Sequence, residues 1–373
     1  MKIGIMLRHL GSKGPEMGTR VYTENVVEGI LERDKKSQYL LIYKDKEPLG
    51  KYSKYPNATE IVIRMPTKLL WDQFAIPLLA KKEKLDLIFN PKFTVPLFSG
   101  CKTVFVIHGM EWYVYPEVYN WYDIIYVKIA LPFYCRKADA IVAVSTLVKS
   151  DIVKYIGIYK DKIKAIYEAA NKIFRPIRDQ DTLMAIKEKY NLPDRFILYV
   201  GEIFPSKNFG GLVKAFYNLK KRGPYKLVVV GSKRWKFEKD FKLISELDLN
   251  DDIHFTGRVP QIDLPAFYNL AEIFVFPSLY EGFGIPVLEA MACGCPVIAS
   301  KTGALPEIAG NAAVLIDPYS IDEMSATMHK VLTDEDFRQD LIEKGYKQVK
   351  NFSWGKCAKE IIEVFRELER ENN

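Results

Sequence analysis

Short runs of β-branched and other apolar residues alternate with longer amphipathic segments along the first half of the chain. Such runs are typical of strands buried on both faces of a parallel sheet, and the longer segments of the helices that connect them. The pattern predicts strands at residues 3–7, 39–43, 85–89, 103–107, 140–144 and 164–167. It pauses at residues 168–181, a polar segment with a proline and no apolar period, which predicts an interdomain linker.

A second series follows the linker. It predicts strands at residues 196–200, 226–230, 253–255, 273–276, 297–299 and 313–316, with helical patterns between them. The 373 residues therefore form an α/β protein of two doubly wound domains, residues 1–175 and 176–352, which we expect to face a cleft at the carboxyl ends of their strands. A last amphipathic helix within residues 353–373 begins with Ser353 as a plausible N-cap.

Charge is unevenly distributed along the chain. Lys and Arg number 54 against 47 Asp and Glu, a net charge of +7. Residues 1–175 hold 28 basic and 18 acidic side chains, a net +10, so the remainder is close to −3. An anionic partner of the first half is expected, and charge alone leaves nucleic acid, a phosphorylated substrate and an acidic membrane surface open.

Composition argues against several classes of protein. Five cysteines in apolar contexts do not indicate a disulfide framework, and the Cys-Gly-Cys at residues 293–295 has no second ligand pair at zinc spacing. The apolar stretch 124–134 contains Lys128 and is shorter than the roughly 20 residues of a spanning helix. The N-terminal residues resemble a strand rather than a leader, so we expect a soluble or peripheral protein in a reducing compartment.

The most informative segment is residues 271–300, AEIFVFPSLYEGFGIPVLEAMACGCPVIAS. It predicts a strand, a glycine-bearing loop and a helix that opens with a proline. Gly282 and Gly284 allow backbone amides to approach a ligand closely, and the free N–H groups at the helix start suit hydroxyls or phosphate oxygens. Glu281 in the loop and Glu289 in the helix provide acceptor groups for the vicinal hydroxyls of a sugar.

This block resembles the GT-B retaining glycosyltransferases of family 4, whose signature is Glu-x7-Glu in a Glu-Gly-Phe-Gly loop and helix. The resemblance implies two Rossmann-like domains, the N-terminal one for the acceptor and the C-terminal one for a nucleotide sugar. It implies that Glu289 binds the ribose and Glu281 the hexose hydroxyls, with Gly282, Phe283 and Gly284 in the donor-binding loop. The final helix is expected to return to the first domain.

Residues 198–211, LYVGEIFPSKNFGG, extend the resemblance. It implies that Gly201 lies at the donor and that Lys207 neutralises the donor diphosphate, whereas Lys207 alone could equally be a solvated lysine before a helix. Many family members have an arginine where this chain has Glu202, which puts a second basic phosphate contact in doubt. The Pro-x-Lys-Asn pattern resembles polysaccharide and lipopolysaccharide mannosyltransferases, which favours GDP-mannose as the donor.

Further site residues come from the resemblance. His108 ends a predicted strand, and the matching histidine of the family contacts the transferred sugar; the alternative is a packed core histidine. Gly14, Gly18 and Thr19 resemble the family loop near the donor diphosphate and acceptor, although a flexible turn would explain them as well.

Two other segments match family positions. Arg258 and Val259 follow a strand in the turn that lies beside the nucleobase in the family. Glu168 belongs to a segment that lines the interdomain crevice there, or it is part of a hinge.

The expected activity is retaining transfer of a hexose, mannose from GDP-mannose by preference, to a saccharide or lipid-linked acceptor, without a metal or other cofactor. The alternatives are a UDP- or ADP-sugar donor, another enzyme type on this architecture such as an epimerase or phosphorylase, and a non-catalytic nucleotide-sugar binding protein. Nucleic acid is not expected, because Glu281 and Glu289 would repel a phosphate backbone.

We expect a cytoplasmic location, with peripheral contact at the inner face of the cell membrane. The aromatic residues of segment 112–134 could lie on lipid headgroups, or they could be core packing.

Overall fold

The structure is a computed structural model that describes residues 1–11 and 17–371. The chain forms two compact units. Unit 1 comprises Met1–Glu168 together with Ser353–Asn373, and unit 2 comprises Ala169–Phe352. The division falls after Glu168, at the start of the polar linker, rather than after residue 175. The linker itself has no helix or strand until Gln180.

Within its described residues, unit 1 contains one parallel sheet in the strand order β3-β2-β1-β4-β5-β6-β7. The strands are β1 Lys2–Met6, β2 Gln38–Tyr43, β3 Ala58–Val62, β4 Leu87–Asn90, β5 Lys102–Ile107, β6 Ala140–Ala143 and β7 Ile163–Ala165. The helices are α1 Met17–Arg33, α2 Lys68–Leu70, α3 Ile76–Glu83, α4 Glu111–Val114, α5 Trp121–Lys137, α6 Thr146–Ile156 and α15 Trp354–Arg370. A π-helical turn, Trp71–Ala75, joins α2 to α3, and 3₁₀ turns lie at Pro116–Val118 and Lys160–Lys162.

Unit 2 repeats this design with a parallel sheet in the order β10-β9-β8-β11-β12-β13. The strands are β8 Ile197–Val200, β9 Leu227–Val230, β10 Ile253–Gly257, β11 Ile273–Phe276, β12 Val297–Ser300 and β13 Ala313–Ile316. The helices are α7 Gln180–Lys189, α8 Phe209–Lys220, α9 Glu238–Glu246, α10 Leu264–Leu270, α11 Ile285–Cys293, α12 Leu305–Ala309, α13 Ile321–Thr333 and α14 Glu335–Val349. A 3₁₀ turn, Pro205–Lys207, precedes α8.

Each sheet reverses its strand order at one place, between β1 and β4 in unit 1 and between β8 and β11 in unit 2. At such a reversal the loops that follow the two central strands diverge to opposite faces of the sheet and leave a crevice at its carboxyl edge. The loops after β8 and β11 are the two that carry the most informative sequence motifs.

The twelve predicted strands are present, with bounds that differ by a few residues, and the prediction missed β3. This strand, ATEIV, pairs only with β2 at the edge of the sheet, and none of its side chains is fully buried. Thr59 and Glu60 interrupt its apolar residues, so it lacks the continuous apolar run on which the prediction depended.

Helix α15 packs on α1 within unit 1. The Oγ atom of Ser353 accepts a hydrogen bond from the Lys356 N–H at 3.1 Å, which confirms Ser353 as the N-cap. Gly29 of α1 faces Ala358 of α15, where a Cβ on the glycine would lie only 2.8 Å from the alanine Cβ. Among the described residues, none of the helices has the length and apolarity needed to cross a bilayer.

Candidate active site

The loops after β8 and β11 are joined at the strand reversal of unit 2. The Leu279 N–H donates a hydrogen bond to the Ser206 carbonyl at 2.8 Å, so the two loops hold each other in register. The same pairing brings Lys207 Nζ to 2.5 Å from Glu281 Oε1. Two residues that the sequence singled out separately, 74 positions apart, therefore form one ion pair.

Lys207 lies in a largely enclosed, partly aromatic environment. Its side chain is 19% exposed, and its ammonium lies 5.6 and 5.7 Å from the ring centroids of Phe204 and Phe276. Aromatic faces attract cations, and the effect grows as the cation loses water. The contact with Glu281 occupies one of the three donors of the ammonium. The structure thus favours a positioned cation over a freely solvated lysine.

The backbone around Glu281 is held by the segment that follows β12. The Ala304 N–H donates to the Glu281 carbonyl at 2.9 Å. Gly303, with φ of +63°, passes so close that a Cβ there would lie 2.6 Å from the Glu281 nitrogen. Gly284 caps α11 with φ of +107°. Sequence analysis identified Gly284 but not Gly303, whose partner is 22 residues away.

The other two residues of the glycine loop are buried. The Phe283 ring is 3% exposed and packs edge-on against Phe352, with centroids 5.9 Å apart. Phe283 therefore anchors the loop through packing. Gly282 lies beside it and is also buried.

Glu289 is a buried carboxyl group inside α11. The Tyr268 hydroxyl donates a hydrogen bond to its Oε2 at 3.1 Å, and the residue is 6% exposed. Burial raises the pKa of Glu289 to about 7, because desolvation of the charged form outweighs the opposing effect of the Tyr268 bond. Tyr268 was missed by sequence analysis because it belongs to a different helix, α10.

The loop after β9 lies beside the loop after β8. The Ile203 N–H donates to the Ser232 carbonyl at 2.9 Å, and the Arg234 N–H donates to the Ile203 carbonyl at 3.0 Å. The close approach requires Gly231, since a Cβ there would lie 1.9 Å from the Gly201 carbonyl oxygen. Gly201 therefore lies at a backbone junction, and Arg234 is delivered to the end of β8.

Glu202 accordingly faces two guanidinium groups. Its Oε2 lies 3.0 Å from Arg234 Nε, and its Oε1 lies 3.6 Å from Arg258 Nη2. Among the described residues, no donor hydrogen-bonds to the buried Oε1. Burial raises the pKa of Glu202, and the charges of Arg234, Lys207 and Arg258 act in the opposite direction. Lys207, Arg234 and Arg258 thus form a cationic cluster near Glu202, and Lys207 is in addition paired with Glu281.

Arg258 and Val259 end the β10 turn in different environments. The Arg258 side chain is 44% exposed, and its Nε donates to Ser232 Oγ at 3.2 Å. Val259 is 5% exposed, so its side chain is packed inside the unit.

In unit 1, both ring nitrogens of His108 have partners. Nδ1 lies 3.1 Å from Glu168 Oε1, and Nε2 lies 2.9 Å from the Pro91 carbonyl oxygen. Nε2 must donate, because a carbonyl can only accept. The Tyr22 ring packs against the imidazole with centroids 4.7 Å apart. His108 is thus held rigidly at the carboxyl end of β5, with its side chain 24% exposed.

The first loop is only partly described. Gly18 is exposed near the start of α1, and the Thr19 carbonyl accepts from Thr23 Oγ1 at 2.8 Å. Gly14 lies outside the described residues. Within the described ranges, His, Cys, Asp and Glu form no cluster of three or more suited to a metal ion.

Comparisons with known proteins agree with the motifs. Residues 18–171 match the model of Glycosyltransferase Family 4, and residues 182–348 match that of Glycosyl transferases group 1. The O-antigen chain mannosyltransferase B of Escherichia coli is 32% identical over 293 residues, which cover 78% of this chain and 76% of that protein. The chain belongs to glycosyltransferase family 4.

Two further proteins are similar to this chain. The serotype-specific mannosyltransferase WbdA of Escherichia coli is 35% identical over 239 residues, which cover 62% of this chain but only 29% of that protein. Anabaena Alr3699/HepE in complex with UDP-glucose superposes with a TM-score of 0.78 at 16% identity, covering 98% of this chain and 100% of that chain. The similarity confirms the GT-B architecture of two Rossmann-like domains, and the relatives support a glycosyltransferase of polysaccharide synthesis.

The buried Glu289 predicts a specific pH dependence of stability. The pKa of Glu289 is about 7 in the folded protein against 4.5 for an ordinary glutamate. The protonated carboxyl group therefore contributes fully to the free energy of unfolding below pH 4.5, and this contribution is lost as the pH rises through 7. The Glu289→Gln variant has no titrating group at this position. Its free energy of unfolding relative to that of the wild type should therefore rise by about 2 to 3 kcal/mol between pH 5 and pH 8. Denaturant unfolding at both pH values tests this, with the exposed Glu343→Gln as control. Parallel pH profiles for wild type and Glu289→Gln would contradict it.

Proposed function

We propose that this glycosyltransferase is a retaining α-mannosyltransferase that moves mannose from GDP-mannose to a saccharide or lipid-linked acceptor of a surface polysaccharide. The relatives named as O-antigen mannosyltransferases support the sugar and the setting. The observation that carries the proposal is the Lys207–Glu281 pair at the strand reversal of unit 2. It puts a cation for a diphosphate beside an acceptor for sugar hydroxyls, which are the two adjoining parts of a nucleotide sugar.

In this proposal, unit 2 binds the donor. The Glu281 carboxylate accepts from hexose hydroxyls while its other contact, Lys207, faces the diphosphate. Glu289 binds the ribose, and backbone groups at Gly282 and Gly284 approach the ligand without side-chain obstruction. The Arg258–Val259 turn lies beside the base, with Val259 contributing backbone only.

The chemistry then consists of stabilising a leaving group. As the bond between the mannose anomeric carbon and the phosphate oxygen breaks, negative charge develops on GDP. The acceptor hydroxyl attacks the same face, the new glycosidic bond forms there, and the acceptor proton passes to the departing phosphate oxygen. Lys207 and the loop amides stabilise the departing diphosphate in place of a metal ion.

Arg234 supplies the second cation that the sequence alone could not locate. Glu202 stands where many family members have an arginine, and the guanidinium of Arg234 reaches that position from the β9 loop. Glu202 holds this guanidinium in place and neutralises part of its charge. The diphosphate is thus bound by Lys207 and Arg234, with Arg258 at the exposed side of the cluster.

Unit 1 would bind the acceptor. It holds 30 basic and 23 acidic side chains, a net charge of +7, which suits a phospholipid surface or a pyrophosphate-linked acceptor better than nucleic acid. We place the protein at the cytoplasmic face of the membrane as a peripheral enzyme, where such acceptors are available. His108, fixed by Glu168 and the Pro91 carbonyl, would contact the transferred sugar.

A donor screen tests the proposal directly. GDP-mannose, UDP-glucose and ADP-glucose are added at equal concentration, and the midpoint of thermal unfolding is measured. GDP-mannose should raise the midpoint of thermal unfolding most, since a ligand at a hundred times its Kd stabilises the folded state by about 2.7 kcal/mol.

Glu289→Ala should weaken GDP-mannose binding roughly tenfold or more, whereas Glu343→Ala should not. A larger shift with another nucleotide, or unchanged affinity in Glu289→Ala, would overturn the donor assignment.

Retention is tested by the linkage of the product. The enzyme is incubated with donor and acceptor, and NMR of the product should show an α-linked sugar.

The cationic cluster predicts opposite effects at neighbouring residues. Arg234→Gln should weaken GDP binding roughly tenfold while changing GMP binding less, because GMP lacks the second phosphate. Glu202→Gln keeps an acceptor oxygen for Arg234 but removes the negative charge, so GDP should bind several-fold tighter. Calorimetric titration of both nucleotides measures this, and the exposed Arg222→Gln is the control. Unchanged GDP affinity in Arg234→Gln would remove Arg234 from the site.

His108 should affect turnover without affecting nucleotide affinity. His108→Ala removes the imidazole that we propose contacts the sugar, and the loss of that contact should lower kcat roughly tenfold, while GDP affinity stays at the wild-type value. His254 offers a matched control, because its Nε2 also bonds to a backbone carbonyl, that of Tyr190 at 2.9 Å. His254→Ala should retain turnover. Unchanged turnover in His108→Ala would make His108 a packing residue.

A further inference from the structure

Helix α5 exposes large apolar side chains on the face that is not packed against unit 1. Its exposed members are Trp121 (74%), Tyr122 (56%), Ile125 (50%), Tyr126 (49%), Ile129 (59%) and Phe133 (59%). Their spacing of three and four residues places most of them along one side of the helix. We call these six residues the α5 face.

The opposite side of α5 is apolar as well. Val127, Leu131, Tyr134 and Cys135 are buried against the rest of unit 1. A helix in contact with water is normally polar on its outer face, and a helix that is apolar all round is normally buried. Contiguous exposed apolar surface of this kind marks an interaction site.

A second exposed apolar group lies on the segment 68–83. Leu69, Phe74 and Leu78 are 59%, 57% and 69% exposed. Both groups of exposed apolar side chains belong to unit 1.

The charged residues on these two segments indicate what covers the surface. The exposed cations are Lys68, Lys81, Lys82, Lys128, Arg136 and Lys137. Asp123 is the one exposed carboxylate on α5 and segment 68–83, since Asp72 is buried against Arg8 and Glu83 pairs with Lys2. The two segments thus combine exposed apolar and aromatic side chains with six exposed cations against one exposed carboxylate. This combination matches an anionic lipid interface, where aromatic rings lie at headgroup level and cations meet phosphates.

A second copy of the chain suits this surface less well. In a symmetric pair the same patch meets itself, so the six cations of one copy would face those of the other. The charge therefore selects an anionic bilayer over self-association.

We propose that the α5 face and the exposed apolar residues of segment 68–83 form a docking surface that lies in the interface of an anionic bilayer. The helix lies parallel to the membrane plane, with Trp121, Ile125, Ile129 and Phe133 inserted below the headgroups and Lys128, Arg136 and Lys137 bound to lipid phosphates. This inference rests on the membrane location proposed above but not on the identity of the donor.

Vesicle flotation tests the surface. The full chain is floated with vesicles of phosphatidylethanolamine and phosphatidylglycerol, and with neutral phosphatidylcholine vesicles, at low and high salt. Wild type should float with the anionic vesicles only, and less at high salt. Ile125→Ser/Ile129→Ser and Lys128→Gln/Lys137→Gln should each lower binding at least roughly tenfold. Ile262→Ser/Met184→Ser, which removes exposed apolar side chains from unit 2, should bind as wild type.

Two further measurements localise the contact and separate it from the donor proposal. Anionic vesicles should shift wild-type tryptophan emission to shorter wavelength, and Trp121→Phe should lose that shift. The thermal shift with GDP-mannose should be unchanged in the flotation variants, so a failed donor assignment would not affect the flotation result. The proposal would be overturned if the wild type did not float, or if Ile125→Ser/Ile129→Ser floated as well as the wild type. It would also be overturned if the wild type self-associated without floating and Ile125→Ser/Ile129→Ser abolished that self-association.

Discussion

The reversal of strand order between β8 and β11 is the constraint on which the charged groups of unit 2 depend. Two parallel strands that are neighbours in the sheet, although their paired residues Ile197 and Ile273 are 76 positions apart, send their following loops to opposite faces, and the carboxyl ends remain adjacent. Lys207 and Glu281 meet because each lies a few residues beyond one of these strands. The Leu279–Ser206 backbone bond fixes the distance between the loops, so the pair does not depend on side-chain flexibility.

The same edge of the sheet concentrates positive charge in an otherwise slightly acidic half of the chain. Lys207, Arg234 and Arg258 come from three different strand ends, and Glu202 lies among them. Three cations without a nearby carboxylate would repel one another in a partly desolvated site. The carboxylates of Glu202 and Glu281 reduce this repulsion, and in the proposed function a diphosphate would take over part of that compensation.

Periodicity and the glycine motifs were sufficient to predict the two sheets, because strands buried on both faces leave a continuous apolar run in the sequence. The edge strand β3 left no such run. Residues that act through a distant partner were also invisible: Tyr268 contacts Glu289, and Arg234 contacts Glu202, across 21 and 32 positions with no spacing rule that joins them. The sequence marked the glutamates, whereas only the packing of α10 on α11 and of the β8 loop on the β9 loop reveals what faces them.

Lys207 can serve the donor without losing Glu281, and this follows from the chemistry of an ammonium group. It has three N–H donors at tetrahedral angles, of which the Glu281 contact uses one, so a phosphate oxygen can accept another. An arginine in its place would offer a planar fork and would pair with the Glu281 carboxylate through two donors at once. In the proposed site the lysine would thus couple two functions, because the carboxylate proposed to bind the sugar hydroxyls also orients the cation proposed to face the leaving group. Movement of either loop would disturb both contacts together, which is why the backbone bonds to Leu279 and Ala304 matter as much as the charged atoms themselves.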